Sequence, residues 1–147
     1  MTPQPKFVLF SLFLLLSTIS AAWAEDSADA SEETAAESGV TDYIAMEPAF
    51  VTHVGTPDGK LTYLKAAVTL RASRQETRTA ITAHMPRLRH ELVMLFGEQT
   101  DTETLTTMDG QKALREEAKS RINKVLEEQH TGETITGVLF TEFVVQK

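Results

Sequence analysis

Two stretches of this chain carry apolar residues at intervals of three and four positions, the repeat of an α-helix with one buried face. The first stretch comprises Ile81, Met85, Leu88, Leu92, Leu95 and Phe96. The second comprises Leu114, Ala118, Ile122, Val125 and Leu126. Thr100 and Glu103 have the spacing of a capping box and predict a single helical turn between the two stretches. The sequence therefore predicts two to three helices.

Residues typical of helix caps and helix ends flank these predicted helices. Ser73 is a candidate N-cap for the first helix because Glu76 follows it at the capping-box spacing. Gly97 is a candidate end of the same helix, and Pro86 inside it predicts a kink or a break, because proline removes a backbone hydrogen bond and clashes with the preceding turn. The second helix is expected to begin near Asp109, with Gly132 as its exit signal.

Strand-like segments flank the helices. Residues 50–54 and 61–71 are separated by turn residues at 55–59 and predict a β-hairpin whose longer strand has one apolar face. Residues 134–146 are β-branched and aromatic with apolar residues on both faces, which is typical of an inner strand covered by helices or by a partner chain. We expect this strand beside the hairpin, because a lone hairpin is only marginally stable. The fold class predicted is α+β, with helices packed on a small sheet.

Composition excludes several classes of function. The chain has 147 residues, no cysteine and a net charge of −7, so disulfides, thiolate metal sites and thiol nucleophiles are absent. Most of the negative charge lies in residues 25–42, and no basic patch that would bind nucleic acid is present. The histidines are scattered without the spacing of metal ligands or a catalytic pair. We therefore predict no enzyme, no cofactor and no metal.

The N-terminus has the three parts of a secretory signal. Lys6 precedes an apolar run, and an Ala-x-Ala triplet ends at Ala24, the expected cleavage site. An uncleaved anchor is the alternative, and membrane contact would then occur only through this segment. The predicted organisation is a signal peptide or anchor at 1–24, an acidic disordered linker at 25–42 and a folded domain at 43–147.

One charged residue in the last predicted strand needs an explanation. Glu142 lies in an apolar context, and a buried carboxylate requires a partner. Arg89 or Arg87, beside the proline, could pair with it. A solvent-facing Glu142 at a strand edge is the alternative.

Several motifs carry a family resemblance. In chain order they are Pro48-Ala-Phe-Val51, Tyr63-Leu64-Lys65 with Thr69-Leu70, Pro86-Arg87-Leu88-Arg89, Gly110 with Leu114-Arg115, Ile122-Asn123, and a terminal Val138-x-Phe140-Thr141-Glu142-Phe143-Val144-x-Gln146. Their shared order resembles the FliL family of flagellar basal-body proteins. The chain departs from that family at His53, where asparagine is usual, and in a leader that looks cleavable rather than membrane-spanning.

The resemblance implies a domain similar to stomatin-type (SPFH) domains, located in the periplasm at the flagellar basal body. It implies a homo-oligomer that contacts flagellar stator or other basal-body proteins and supports motility. On this reading Arg89, Glu142, Phe140 and Phe143 are candidate structural or interface residues. A soluble periplasmic binding or stress-related module, unconnected to motility, is the alternative.

Overall fold

A computed structural model describes residues 40–147 of the chain. Its elements, in chain order, are β1 (Asp42–Ala45), β2 (Phe50–Val54), β3 (Thr62–Ala72), α1 (Gln75–Gly97), a 3-10 turn (Thr104–Thr106), α2 (Met108–Glu128) and β4 (Gly137–Gln146). The prediction of an α+β domain with a small sheet is confirmed.

Strand β3 is the centre of a four-stranded antiparallel sheet. Along one side of β3, β1 pairs with the half that ends at Ala72 and β2 pairs with the half that begins at Thr62. Along the other side, β4 pairs from Tyr63 to Arg71. The predicted hairpin and the return of the last strand beside it are both confirmed.

The core lies between one face of this sheet and the two helices. Alternate residues of β3 are buried on that face, namely Leu64, Ala66, Val68, Leu70 and Ala72. The apolar stripe of α1 packs against them, with Met85 partly buried and its other predicted members buried. All five predicted core residues of α2 are buried. Burying one such side chain fully is worth about 1.5–3 kcal/mol, so this interface provides most of the stability.

The start of α2 depends on two local contacts. Thr107 is its N-cap, and the Thr107 hydroxyl accepts a hydrogen bond from the amide of Gly110 at 3.0 Å. A Cβ atom at Gly110 would lie 2.0 Å from the carbonyl oxygen of Thr104. Only glycine therefore lets the 3-10 turn approach the first turn of α2.

Two details of α1 differ from the prediction. Its N-cap is Arg74 rather than Ser73, and the Arg74 side chain bonds the carboxylate of Glu76 instead of capping a backbone amide of the helix. The helix also continues through Pro86, so the predicted break is wrong, and the alternative of a kink stays a prediction. Pro86 is exposed, which lets water bond the carbonyl that proline leaves unpaired, while Ile81 and Leu88 stay buried on either side.

The strands differ from the prediction at two points. β1 was not predicted, because its four residues bury only Ile44 and are too few to show alternation. β4 is not an inner strand: among residues 40–147 its one strand partner is β3, and its outward residues Leu139 and Val144 are exposed. The apolar composition of β4 therefore needs a different explanation.

Candidate interaction surface

Both helices lie on the same face of the sheet, and the described residues leave the opposite face uncovered. Large apolar side chains are nevertheless concentrated on that bare face. They are Tyr43 (55% exposed), Val51 (67%), Tyr63 (41%), Leu139 (37%) and Val144 (40%). We call these five residues the bare-face cluster. Several large apolar side chains exposed on one face of a sheet are typical of interaction sites.

Strand alternation and register produce this cluster. In β3 the residues between the buried positions point away from the helices, and the register aligns neighbours of the same orientation. One row across the sheet runs from Val51 through Lys65 to Val144. A second row pairs Tyr63 with His53, whose ring centre lies 4.6 Å from that of the tyrosine. The cluster therefore sits on a rigid sheet rather than on loops.

Glu142 lies on the bare face, so the pairing with Arg87 or Arg89 is wrong and the alternative, a solvent-facing Glu142, is confirmed. Its Oε1 atom lies 2.8 Å from Nζ of Lys65, and both side chains are roughly half exposed, at 43% and 49%. Helix α1, which carries both Arg87 and Arg89, lies on the other face of the sheet. The apolar residues of the strand therefore do not bury Glu142. The Glu142 side chain faces solvent beside Lys65.

Arg89 has a structural role instead. Its guanidinium donates a hydrogen bond to the carbonyl oxygen of Met46 at 2.9 Å and lies over the ring of Phe50. Arg87 pairs along the helix with Glu91 and lies 3.8 Å from Glu128 on α2. Arg89 thus joins α1 to the segment before β2, and Arg87 joins the two helices.

Phe140 and Phe143 are half-buried near the open edge of the sheet. Their rings stack with centres 5.0 Å apart, and Phe140 meets the buried ring of Phe96 edge to face at 6.1 Å. The two phenylalanines thus continue the core to the last strand. The remaining predicted site residue, Ala24, lies outside the described residues.

The cleft between α1 and α2 is lined mostly by charged residues. It has a volume of about 400 Å³ and includes Arg87, Glu91, Glu117, Arg121 and Glu128. Its two arginines are paired, since Arg87 bonds Glu91 and Arg121 bonds Glu117 at 2.9 Å and also bonds Glu98. Arg121 lowers the pKa of Glu98, and the two glutamates raise the pKa of Arg121. Both shifts favour fixed charges over proton transfer near neutral pH.

Metal binding and membrane spanning have no support in the described residues. No group of three or more histidine, aspartate or glutamate side chains in residues 40–147 is placed to hold a metal ion. Neither helix described above is long and apolar enough to cross a membrane. Sequence reasoning did not find the bare-face cluster, although the outward positions of the predicted strands carried its signal.

These features define an α+β domain that presents an apolar sheet face and a strand edge, with its helices on the other side. The sequence matches the family described as flagellar basal body-associated protein FliL over residues 43–146. The chain therefore belongs to the FliL family of flagellar basal-body-associated proteins.

Individual relatives agree with this assignment. The chain is 30% identical over 97 residues to the flagellar protein FliL of Escherichia coli K12, and equally to that of Shigella flexneri. Each match covers 66% of this chain and 60% of the relative. The chain thus spans less than two thirds of the relatives that it matches.

Proposed function

We propose that this protein is a non-catalytic component of the flagellar basal body that supports motility by self-assembly and by contact with the motor stator. Membership of the FliL family supports the flagellar location. The bare-face cluster carries the proposal of contact, because it places five large apolar side chains on one rigid face of the sheet. The proposal includes a periplasmic location and a fold similar to stomatin-type domains, which superposition on such domains would test.

A surface variant tests contact separately from folding. Val51→Asp adds a charge to the bare face, where Val51 is 67% exposed and pairs with Lys65 across the strands. Leu61→Asp is the matched control, because Leu61 is equally exposed but lies before β3, outside the paired strands. Each variant replaces the chromosomal copy in a flagellated host that carries this gene.

The two variants have different expected outcomes. Deletion of the gene and the Val51→Asp variant should both reduce swimming or swarming. The Val51→Asp protein should also be recovered with basal bodies in a smaller amount than the parent protein. Leu61→Asp should behave as the parent, because its charge lies off the face. Normal motility in the clean deletion would refute the motility role. Equal effects of the two aspartates, at equal protein levels, would refute the assignment of contact to the bare face.

A further inference from the structure

The outer edge of β4 presents backbone hydrogen-bonding groups for which residues 40–147 provide no backbone partner. Two backbone hydrogen bonds of β3 show to which side each of its residues directs its N–H and C=O groups. Val68 O accepts from Met46 N at 2.9 Å on the β1 side, whereas Arg71 O accepts from Thr136 N at 2.8 Å on the β4 side. The core-facing residues of β3 thus direct their backbone groups away from β4.

Antiparallel pairing transfers this orientation to β4. Residues opposite a non-hydrogen-bonded position turn their own N–H and C=O groups away from the shared ladder. On β4 these residues are Val138, Phe140, Phe143 and Val145. Each of them can therefore donate and accept a hydrogen bond at the outer edge.

A bulge in the middle of β4 changes which residues share a face. Ala67 pairs with Glu142 and Val68 pairs with Phe140, so Thr141 is skipped in the register. An uninterrupted strand would place Phe140 and Phe143 on opposite faces, because side chains alternate with a period of two. The bulge brings both rings to the core face. The order of inward and outward residues in β4 is consequently the same when read from either end.

Residue type follows the same mirror symmetry. On either side of the midpoint between Thr141 and Glu142, the matched pairs are Phe140 with Phe143, Leu139 with Val144, Val138 with Val145, and Gly137 with Gln146. The first three of these pairs, next to the polar central pair Thr141 and Glu142, are apolar, and both members of each point to the same face. A strand with this pattern is complementary to a second strand of the same sequence running in the opposite direction.

We propose that the edge of β4 pairs with β4 of a second copy of this chain, antiparallel, with Phe140 opposite Phe143 of the second copy. The pairing joins two four-stranded sheets into one across a two-fold axis perpendicular to the sheet. Val138 and Phe140 then hydrogen-bond to Val145 and Phe143 of the second copy. At the centre, Thr141 lies opposite a glutamate, so the two Glu142 side chains are not directly opposed.

A second copy fits this edge better than an unrelated extended peptide. Long apolar edge strands are normally protected by charged residues, by proline or by pairing. The one charged residue of β4, Glu142, already bonds Lys65, and the strand has no proline. The two-fold pairing satisfies both the open backbone groups and the apolar side chains. It names the surface of the self-assembly proposed above, but it does not depend on the flagellar role.

Paired cysteines test both the partner and the register. Across the proposed axis Leu139 and Val144 form a non-hydrogen-bonded pair with Cα atoms about 4.5 Å apart, within the range of a disulfide. Within one chain they lie about 16 Å apart along the strand, too far to join. The chain has no native cysteine, and both positions are exposed. Full-length Leu139→Cys/Val144→Cys protein is oxidised in intact cells and analysed on non-reducing gels.

The double variant should give a covalent dimer as the main product. Each single variant alone should remain monomeric, and coexpressed single variants with different tags should form a mixed dimer. The proposal is overturned if the double variant stays monomeric while its thermal unfolding matches that of the parent. A single variant that dimerises as well as the double variant would overturn it too, because that result requires another register.

Amide exchange provides a measurement without substitution. In the pairing proposed, the amides of Val138, Phe140, Phe143 and Val145 become protected as protein concentration rises, while those of Leu139 and Val144 bond to β3 at every concentration. Fast exchange of the first set at all concentrations would refute the pairing. Cross-linking of the double variant together with normal motility of the clean deletion would refute the flagellar proposal alone. Impaired motility of the deletion without cross-linking of the double variant would refute the pairing alone.

Discussion

The guanidinium of Arg89 lies over the ring of Phe50, with its Cζ atom 4.2 Å from the ring centre. The same guanidinium donates a hydrogen bond to the carbonyl oxygen of Met46. Met46 precedes the turn that leads into β2, and Phe50 follows it. Arg89 therefore holds the entry to β2 against α1, with one contact to a π face and one to a backbone oxygen. This arrangement makes arginine, rather than any cation, the residue required at this position.

Replacement of Arg89 tests that arrangement. Arg89→Ala removes the cation–π contact and leaves a part-buried carbonyl without its donor, so we expect a loss of about 1–2 kcal/mol in the free energy of unfolding. Arg89→Lys should restore only part of this loss. Urea unfolding followed by circular dichroism measures both. Lys112→Ala, at an exposed position of α2, is the control and should change stability by less than about 0.5 kcal/mol. Equal effects of Arg89→Ala and this control would contradict the assigned role.

Gly110 should tolerate no side chain. In Gly110→Ala the new Cβ would collide with the backbone of the 3-10 turn, and relief of that collision should cost about 3 kcal/mol. Gly97→Ala is the matched control, because a Cβ there meets none of the described atoms within 4 Å and the residue is helical. Its stability should be unchanged or higher by up to about 1 kcal/mol. Thermal and urea unfolding of both variants measure the contrast, and a stable Gly110→Ala protein would show that the turn can move away.

The pair Asp42–Arg78 should make part of the stability dependent on pH. The Arg78 side chain hydrogen-bonds the Asp42 carboxylate and lowers its pKa below the usual value. A lowered pKa in the folded state contributes stability above the unfolded pKa of about 3.9, and the contribution is lost as the pH falls through the folded value. Asp42→Asn should therefore lower the melting temperature near neutral pH, and its difference from the parent should shrink in acid.

Thermal unfolding from about pH 7 to about pH 2 measures that difference. Asp58→Asn, in the exposed turn between β2 and β3, is the control and should follow the parent throughout. A difference between Asp42→Asn and the parent that grows as the pH falls would contradict the sign of the pKa shift.

Glu142 should contribute little to stability. Its partner Lys65 is also half-exposed, and ion pairs of this kind contribute about 0–1 kcal/mol. We expect Glu142→Gln to change the urea midpoint only slightly. A buried pair broken on one side would cost about 3–5 kcal/mol, so a loss of that size would show that the bare face is covered in the folded protein.

The sequence predicted the helices and strands whose buried residues recur with a regular period. The stripe from Ile81 to Phe96 identified α1, and its apolar period outweighed Pro86, which sequence rules treat as a break. Alternation identified β3 and placed its apolar face correctly. β1 was missed because its contribution rests on a long-range pairing with the end of β3, which local sequence does not encode.

The candidate surface was harder to predict than the fold. For Glu142 the sequence left an arginine partner and a solvent-facing position open, because it does not show that a bulge precedes this residue or that its face is bare. Phe140 and Phe143 were identified as interface candidates, but their placement on one face depends on the skipped Thr141. A single inserted position in a strand reverses every orientation after it, and composition alone cannot locate such a position.

The central strand also affects the order of folding. β3 pairs with β1 and β2, which precede it in the chain, but its longest partner β4 follows only after both helices. Pairings between distant segments form slowly, because the intervening chain must first be closed into a loop. During synthesis, most of this domain therefore emerges from the ribosome before β4 can complete the sheet. Truncations that remove Val138 and Phe140 should leave an aggregation-prone intermediate rather than a smaller folded protein.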